Sequence, residues 1–121
     1  MGFGRKISGG KYKIFKKKKK YELPGKERKV KLRDYKKKTL RGLGGVLKTV
    51  LLSHNFANVM NPKTKKAKKV KILNVIETPS DRFLARQNIL VKSAIIQTEL
   101  GKAKITNRPS QESAVQAILI D

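Results

Sequence analysis

Ala94-Ile95-Ile96-Gln97-Thr98-Glu99-Leu100-Gly101-Lys102-Ala103-Lys104-Ile105-Thr106 is the stretch that decides the fold. Two β-rich runs, Ile95–Leu100 and Lys102–Thr106, meet at one glycine, which predicts a hairpin. Similar runs lie on either side. Val46–Leu52 is β-branched and apolar around Lys48 and Thr49; Lys69–Ile72 alternates and continues into Leu73-Asn74-Val75-Ile76; Asn88–Val91 and Ala114–Ile120 follow. Turn signals separate them: Asn61-Pro62, Thr78-Pro79-Ser80-Asp81 and Asn107-Arg108-Pro109-Ser110. Six or seven short strands at ~8–12-residue spacing predict a mainly β fold, a small antiparallel β-barrel or sandwich. A helix over Ser113–Ile120 is the competing local reading. The expected core is Val50, Leu52, Ile72, Val75, Ile89, Val91, Ile95, Ile96, Ile105, Val115, Ile118 and Ile120. Val70–Ile76 is apolar on both faces, so a loop or a partner is expected over its outer side.

The charge is unevenly spread. The 121 residues hold 31 Lys and Arg against 8 Asp and Glu, a net of +23. Residues 1–41 carry 18 basic and 3 acidic groups, residues 42–69 carry 6 and none, and residues 70–121 carry 7 and 5. Apolar residues are sparse in the front third, and Lys16–Lys20 is a self-repelling block. Residues 1–41 are therefore expected to be irregular when free and ordered by a polyanionic partner. Fully stretched, they reach at most roughly 130 Å. The expected division is a basic extension and hinge over 1–45 and a β-barrel body over 46–121.

Several function classes lose their parts list. No apolar run approaches the ~20 residues of a membrane span, and no apolar segment follows the basic N-terminus as a secretory signal requires. There is no cysteine and one histidine, His54, so neither a thiolate site nor a histidine cluster can form. Neither G-x-x-x-x-G-K-[ST] nor GxGxxG occurs, and Glu77, Asp81, Glu99 and Glu112 are not paired for acid–base work. The chain reads as a non-enzyme with no metal, no cofactor, no small-molecule substrate and no membrane partner.

What the sequence offers is nucleic-acid chemistry. Lysines and arginines displace counterions from phosphates, and the interleaved Phe3, Tyr12, Phe15, Tyr21 and Tyr35 suit unpaired bases or sugars. In the extension the candidate contacts are Arg5, Lys6, Lys11, Lys13, Lys16, Lys17, Lys18, Lys19, Lys20, Arg28, Arg33, Lys36, Lys37, Lys38 and Arg41. Gly9 and Gly10 let backbone N–H groups approach phosphate oxygens. Gly42-Leu43-Gly44-Gly45 is either a hinge or a second close approach. Lys65 and Lys66 sit in a basic run after Asn61-Pro62, an expected hairpin loop. On the body, Asn88, Lys92, Asn107 and Arg108, with Arg82 and Arg86, are either RNA contacts or turn caps. His54 is either a turn residue or a base-stacking contact. A DNA-compacting protein and an RNA-processing enzyme are the rival classes. The first lacks any helix-turn-helix or heptad pattern.

The stretch Asn88-Ile89-Leu90-Val91-Lys92-Ser93-Ala94 through Ile105-Thr106-Asn107-Arg108-Pro109 resembles the C-terminal signature of the ribosomal protein S-eight-e family of archaea and eukaryotes. Arg86 and Ala117-Ile118-Leu119-Ile120 fit it too, as do Arg5-Lys6-Ile7-Ser8-Gly9-Gly10-Lys11 and Lys17–Leu23 at the front. The short length resembles archaeal members. The chain departs from the family at Arg41-Gly42-Leu43-Gly44-Gly45, where Arg-Gly-Gly-Asn is usual, and at Ser110 and Ser113, where glycines are usual. If those turns need φ > 0, the serines are strained. The resemblance implies a small β-barrel with a long basic N-terminal extension threaded into small-subunit ribosomal RNA. It implies a structural constituent of the cytoplasmic ribosome, with ribosomal proteins as neighbours. It carries RNA contact over to Arg5, Lys6, Gly9, Gly10, Lys11, Lys17, Lys18, Lys20, Arg41, Asn88, Lys92, Asn107 and Arg108.

Overall fold

The computed structural model describes residues 4–12 and 17–120. Nine strands and one short helix follow in the order β1 (Val30–Lys31), β2 (Lys36–Arg41), β3 (Leu47–Ser53), β4 (Phe56–Met60), β5 (Ala67–Glu77), α1 (Arg82–Arg86), β6 (Ile89–Leu90), β7 (Ile95–Thr98), β8 (Gly101–Ile105) and β9 (Gln116–Leu119). β4-β5-β7-β8-β9 form a closed barrel, and β2-β3-β1-β6 form a second sheet. The barrel pairs are antiparallel except for β4 and β9, which close it in parallel from Asn58↔Gln116 to Met60↔Ile118. Ala114–Ile120 thus supplies a strand rather than a helix, because its edge completes the barrel.

Only His54 and Asn55 separate β3 from β4, so one length of chain leaves the second sheet and enters the barrel. The corner is pinned by Ser53 Oγ donating to the Asp34 carbonyl at 2.6 Å and by the His54 N–H donating to the Lys31 carbonyl at 3.1 Å. The expected hairpin is present, with Glu99-Leu100 as its turn and Gly101 opening β8 at φ 123°.

Val50, Ile72, Val75, Ile89, Ile96, Ile105 and Val115 are buried as expected. Leu52, Val91, Ile95 and Ile118 are only half-buried, and Ile120 is exposed. The interior is instead completed by Ala57, Ala94, Ala103 and Ala117, each under 4% exposed. A five-strand barrel is narrow, and small residues alternating with large ones fit its taper. Val30, Leu51 and Leu90 join the same cluster from the second sheet.

β5 explains its own two-sided apolar pattern. Its register against β7 slips between Ile72 and Asn74 and again between Val75 and Glu77. Each slip is a bulge that adds one unpaired residue, and the inward positions become Val70, Ile72 and Val75. Leu73 and Ile76 are left outside, 55% and 44% exposed.

Strand pairing with the body begins ahead of residue 46. Val30 is 1% exposed and pairs with Leu90, and β2 runs against β3 from Lys36↔Ser53 to Arg41↔Leu47. Residues 30–41 are strand partners of the body, despite their lysines. Gly42–Gly45 is the turn of the β2–β3 hairpin rather than a hinge: the Gly42 N–H donates to the Val46 carbonyl at 2.7 Å, with Gly44 and Gly45 at φ 72° and 79°. Neither Ser110 nor Ser113 has a positive φ, so the serines stand unstrained where glycines are usual.

Candidate nucleic-acid interface

Every described lysine and arginine is exposed except Arg28, which is half-buried. The cations are therefore spent on the surface, and many of them gather in four places.

The first is a notch where the extension meets the body. The Arg28 Nε–H donates to the Ser110 carbonyl at 3.3 Å, which draws the guanidinium against the loop before β9. Arg28, Lys92 and Arg108 line one depression of ≈ 290 Å³, floored by Leu90 and Pro109. Glu27 lines the same hollow, so three cations face one carboxylate there and an excess of positive charge is left for a phosphate. Arg82 and Arg86 line a separate hollow with Asn88.

The second is the β2–β3 ribbon. Lys36, Lys37, Lys38, Thr39 and Arg41 are all exposed, so both faces of β2 are wet. β2 is also a sheet edge, where lysines block pairing with another chain. Arg33 lies in the β1–β2 connection. At the ribbon tip Leu43 is 99% exposed, with Val46 and Leu47 at 67% and 69%. The third is the β4–β5 loop with Lys65 and Lys66. Asn61 Oδ1 accepts from the Lys63 N–H at 2.9 Å and shapes the turn, and Lys65 takes φ 53°.

The fourth is the extension. Arg5 and Lys11 pair across a small turn in which the Gly9 N–H donates to the Lys6 carbonyl at 2.8 Å. Gly9 holds φ 78°, a conformation that suits glycine, and Gly10 follows it in the same turn. Lys17, Lys18, Lys19 and Lys20 are exposed, with the Lys19 ammonium 5.8 Å from the Tyr21 ring centre. Lys13 and Lys16 lie outside the described residues, as do Phe3 and Phe15.

Two expected contacts have structural work in the fold. Both amide hydrogens of Asn107 are taken, by Glu112 Oε2 and by the Ala114 carbonyl, each at 2.7 Å, and its oxygen accepts from the Gln116 N–H at 3.0 Å. Asn107 closes the loop that delivers β9. Asn88 holds φ 52°, its carbonyl accepts from the Leu32 N–H at 2.9 Å, and its side-chain oxygen accepts from the Val75 N–H at 3.3 Å. It ends α1 and ties β1 and β5 together.

One cluster escaped the sequence reading. Tyr35, His54 and Phe56 come together beside Lys69. No period links these positions. The β2–β3–β4 path brings them together, and cross-strand register (Phe56↔Lys71, Asn58↔Lys69) adds the lysines. Burial foremost, with the Lys69 charge behind it, lowers the His54 pKa below its ordinary 6.5 against an opposing Asn55 hydrogen bond. Among the described residues no three His, Asp and Glu side chains converge as a metal site would need.

These features define a class: a small β-barrel carrying cationic appendages. The model of the family described as Ribosomal protein S8e matches residues 3–120, and the chain belongs to that family, whose members are structural components and not enzymes. It is similar to the small ribosomal subunit protein eS8 of Methanococcus aeolicus, 49% identical over 118 residues that span 97% of this chain and 92% of the relative. It is also similar to that of Sulfurisphaera tokodaii, 48% identical over 118 residues, 96% and 91% of the two chains.

Proposed function

We propose that this protein is a structural constituent of the small ribosomal subunit, where it binds ribosomal RNA and supports assembly and translation. Small-subunit ribosomal RNA and neighbouring ribosomal proteins are its partners, in the cytoplasm. One observation carries the reading: described cations fill the surface and, Arg28 apart, none is withdrawn into the fold. Phosphates are the groups that such a surface lacks.

The parts divide the work. Residues 4–29 form the basic arm that threads between RNA helices and neutralises phosphates where they crowd. Residues 30–120 form the body. Its notch at Arg28, Lys92 and Arg108 fixes register on the RNA, and the ribbon enters a groove or junction. Contacts of this kind read backbone shape more than base sequence.

Competition between a structured small-subunit rRNA fragment and duplex DNA of equal phosphate count tests the proposal. The rRNA is expected to win by tenfold or more. Equal affinity would favour a generic DNA-compacting protein instead.

A further inference from the structure

We propose that the pocket walled by Tyr35, His54 and Phe56 beside Lys69 seats one unpaired nucleobase of the bound RNA. The proposal rests on the rRNA-binding reading and adds to it a base-holding site.

The pocket is built from three elements. Tyr35 immediately precedes β2, His54 stands at the β3–β4 corner, and Phe56 opens β4. The Tyr35 and His54 ring centres are 4.9 Å apart at 61°, and those of His54 and Phe56 are 6.3 Å apart at 75°. Edge-to-face packing makes a corner of rings rather than a closed stack. Lys69 lies over the Phe56 ring, so the surface offered to a flat guest is that of Tyr35, which is 50% exposed. The cavity measures ≈ 380 Å³ and is completed by Asn58, Ser113 and Ala114. That volume lies within the range of clefts that hold small planar groups.

The chemistry around the rings fits a nucleotide. The Lys69 ammonium lies 5.0 Å from the Phe56 ring centre, and Lys71 stands opposite Phe56 in the β4–β5 register. Lys36 adjoins Tyr35 in sequence. These charges suit the phosphates on either side of a seated base. Asn58 supplies an amide, which both donates and accepts, for the edge of the base. His54 is held in one orientation, because its Nδ1 accepts N–H bonds from Asn55 at 2.9 Å and Phe56 at 3.1 Å. Nδ1 therefore carries no proton, and the neutral ring keeps its hydrogen on Nε2 as a donor. A second depression shares Asn58 and continues past Met60, Gln116 and Ile118, which gives the strand a way onward along the outside of the barrel. An aromatic corner with lysines at its rim is the stacking platform of single-strand binders.

The test uses the full chain and exploits its single histidine, whose ring NMR signals report this pocket alone. The probes are a ten-nucleotide uridine single strand and an RNA duplex of ten base pairs. The single strand is expected to shift the His54 ring signals saturably, and the duplex to bind through surface lysines without moving them. Tyr35→Ala should weaken single-strand binding by about tenfold and leave duplex binding unchanged, while Tyr35→Phe keeps both. If both RNAs bind, the His54 signals stay fixed and Tyr35→Ala costs nothing, the pocket proposal is overturned, RNA binding stands, and a protein neighbour becomes the better occupant. If neither RNA binds, the rRNA reading falls and takes this site with it.

Discussion

Single residues show how far polar chemistry in a sequence under-determines its use. Asn88 and Asn107 read equally well as RNA contacts or turn caps, and the structure gives Asn107 two backbone partners and Asn88 one. Asn107→Ala should therefore destabilise the fold by about 1–3 kcal/mol in urea denaturation, since it leaves the Ala114 carbonyl and Gln116 N–H unpaired. Lys92 and Arg108 keep their charge at the surface, and their substitution should leave the urea midpoint nearly unmoved while weakening RNA binding. His54 gives a pH signature. Its folded pKa lies below the unfolded value of 6.5, so the unfolded chain binds the extra proton as pH falls through 6.5. Stability is then fully present above pH 6.5 and is lost as pH drops through the lowered folded value. Thermal melts from pH 7.5 to 5 should show this decline, and His54→Gln should flatten it relative to wild type. A decline of equal slope in both proteins would contradict the assignment.

At the scale of elements, strand existence was legible and strand partnership was not. Ile95–Ile105 declared its hairpin through two β-rich runs around a glycine. β2 was hidden, because Lys36-Lys37-Lys38 carries the composition of a disordered arm. Only the facing residues of β3 make it a strand, and a pattern within six residues cannot announce a partner ten residues on. The two bulges in β5 were equally silent: they convert an apolar run that looked two-sided into inward Val70, Ile72 and Val75. Because the ribbon is wet on both faces, it is the least protected regular structure in the body. Hydrogen exchange should give opening free energies of ~0–2 kcal/mol for amides in 37–41, against ~5 kcal/mol or more in β7 and β8. Equal protection would show that the ribbon packs on something in the free chain. Gly45→Ala adds a Cβ in open space at φ 79°, so its cost is backbone strain alone, about 1–2 kcal/mol confined to the ribbon.

For the whole molecule, strand patterning pointed to the barrel, while charge put the expected junction at residue 45, behind the strands β1 and β2. The residue that moves it is Val30, buried against Leu90. Deleting residues 1–29 should leave a cooperative thermal transition. Deleting 1–41 should weaken it by ~2 kcal/mol or more, because Val30 leaves the core and β3 loses its partners. Equal melts for the two truncations would return the junction to residue 45. The charge distribution then sets the functional behaviour. On the proposed reading, the described surface cations make affinity for RNA largely counterion release. The most direct measurement is the dissociation constant of the full chain for a small-subunit rRNA fragment across a potassium chloride series. For ~10 phosphates engaged, log affinity should fall against log salt with a slope of about −7 to −9. A slope shallower than about −3 would mean that the exposed cations do not meet phosphates.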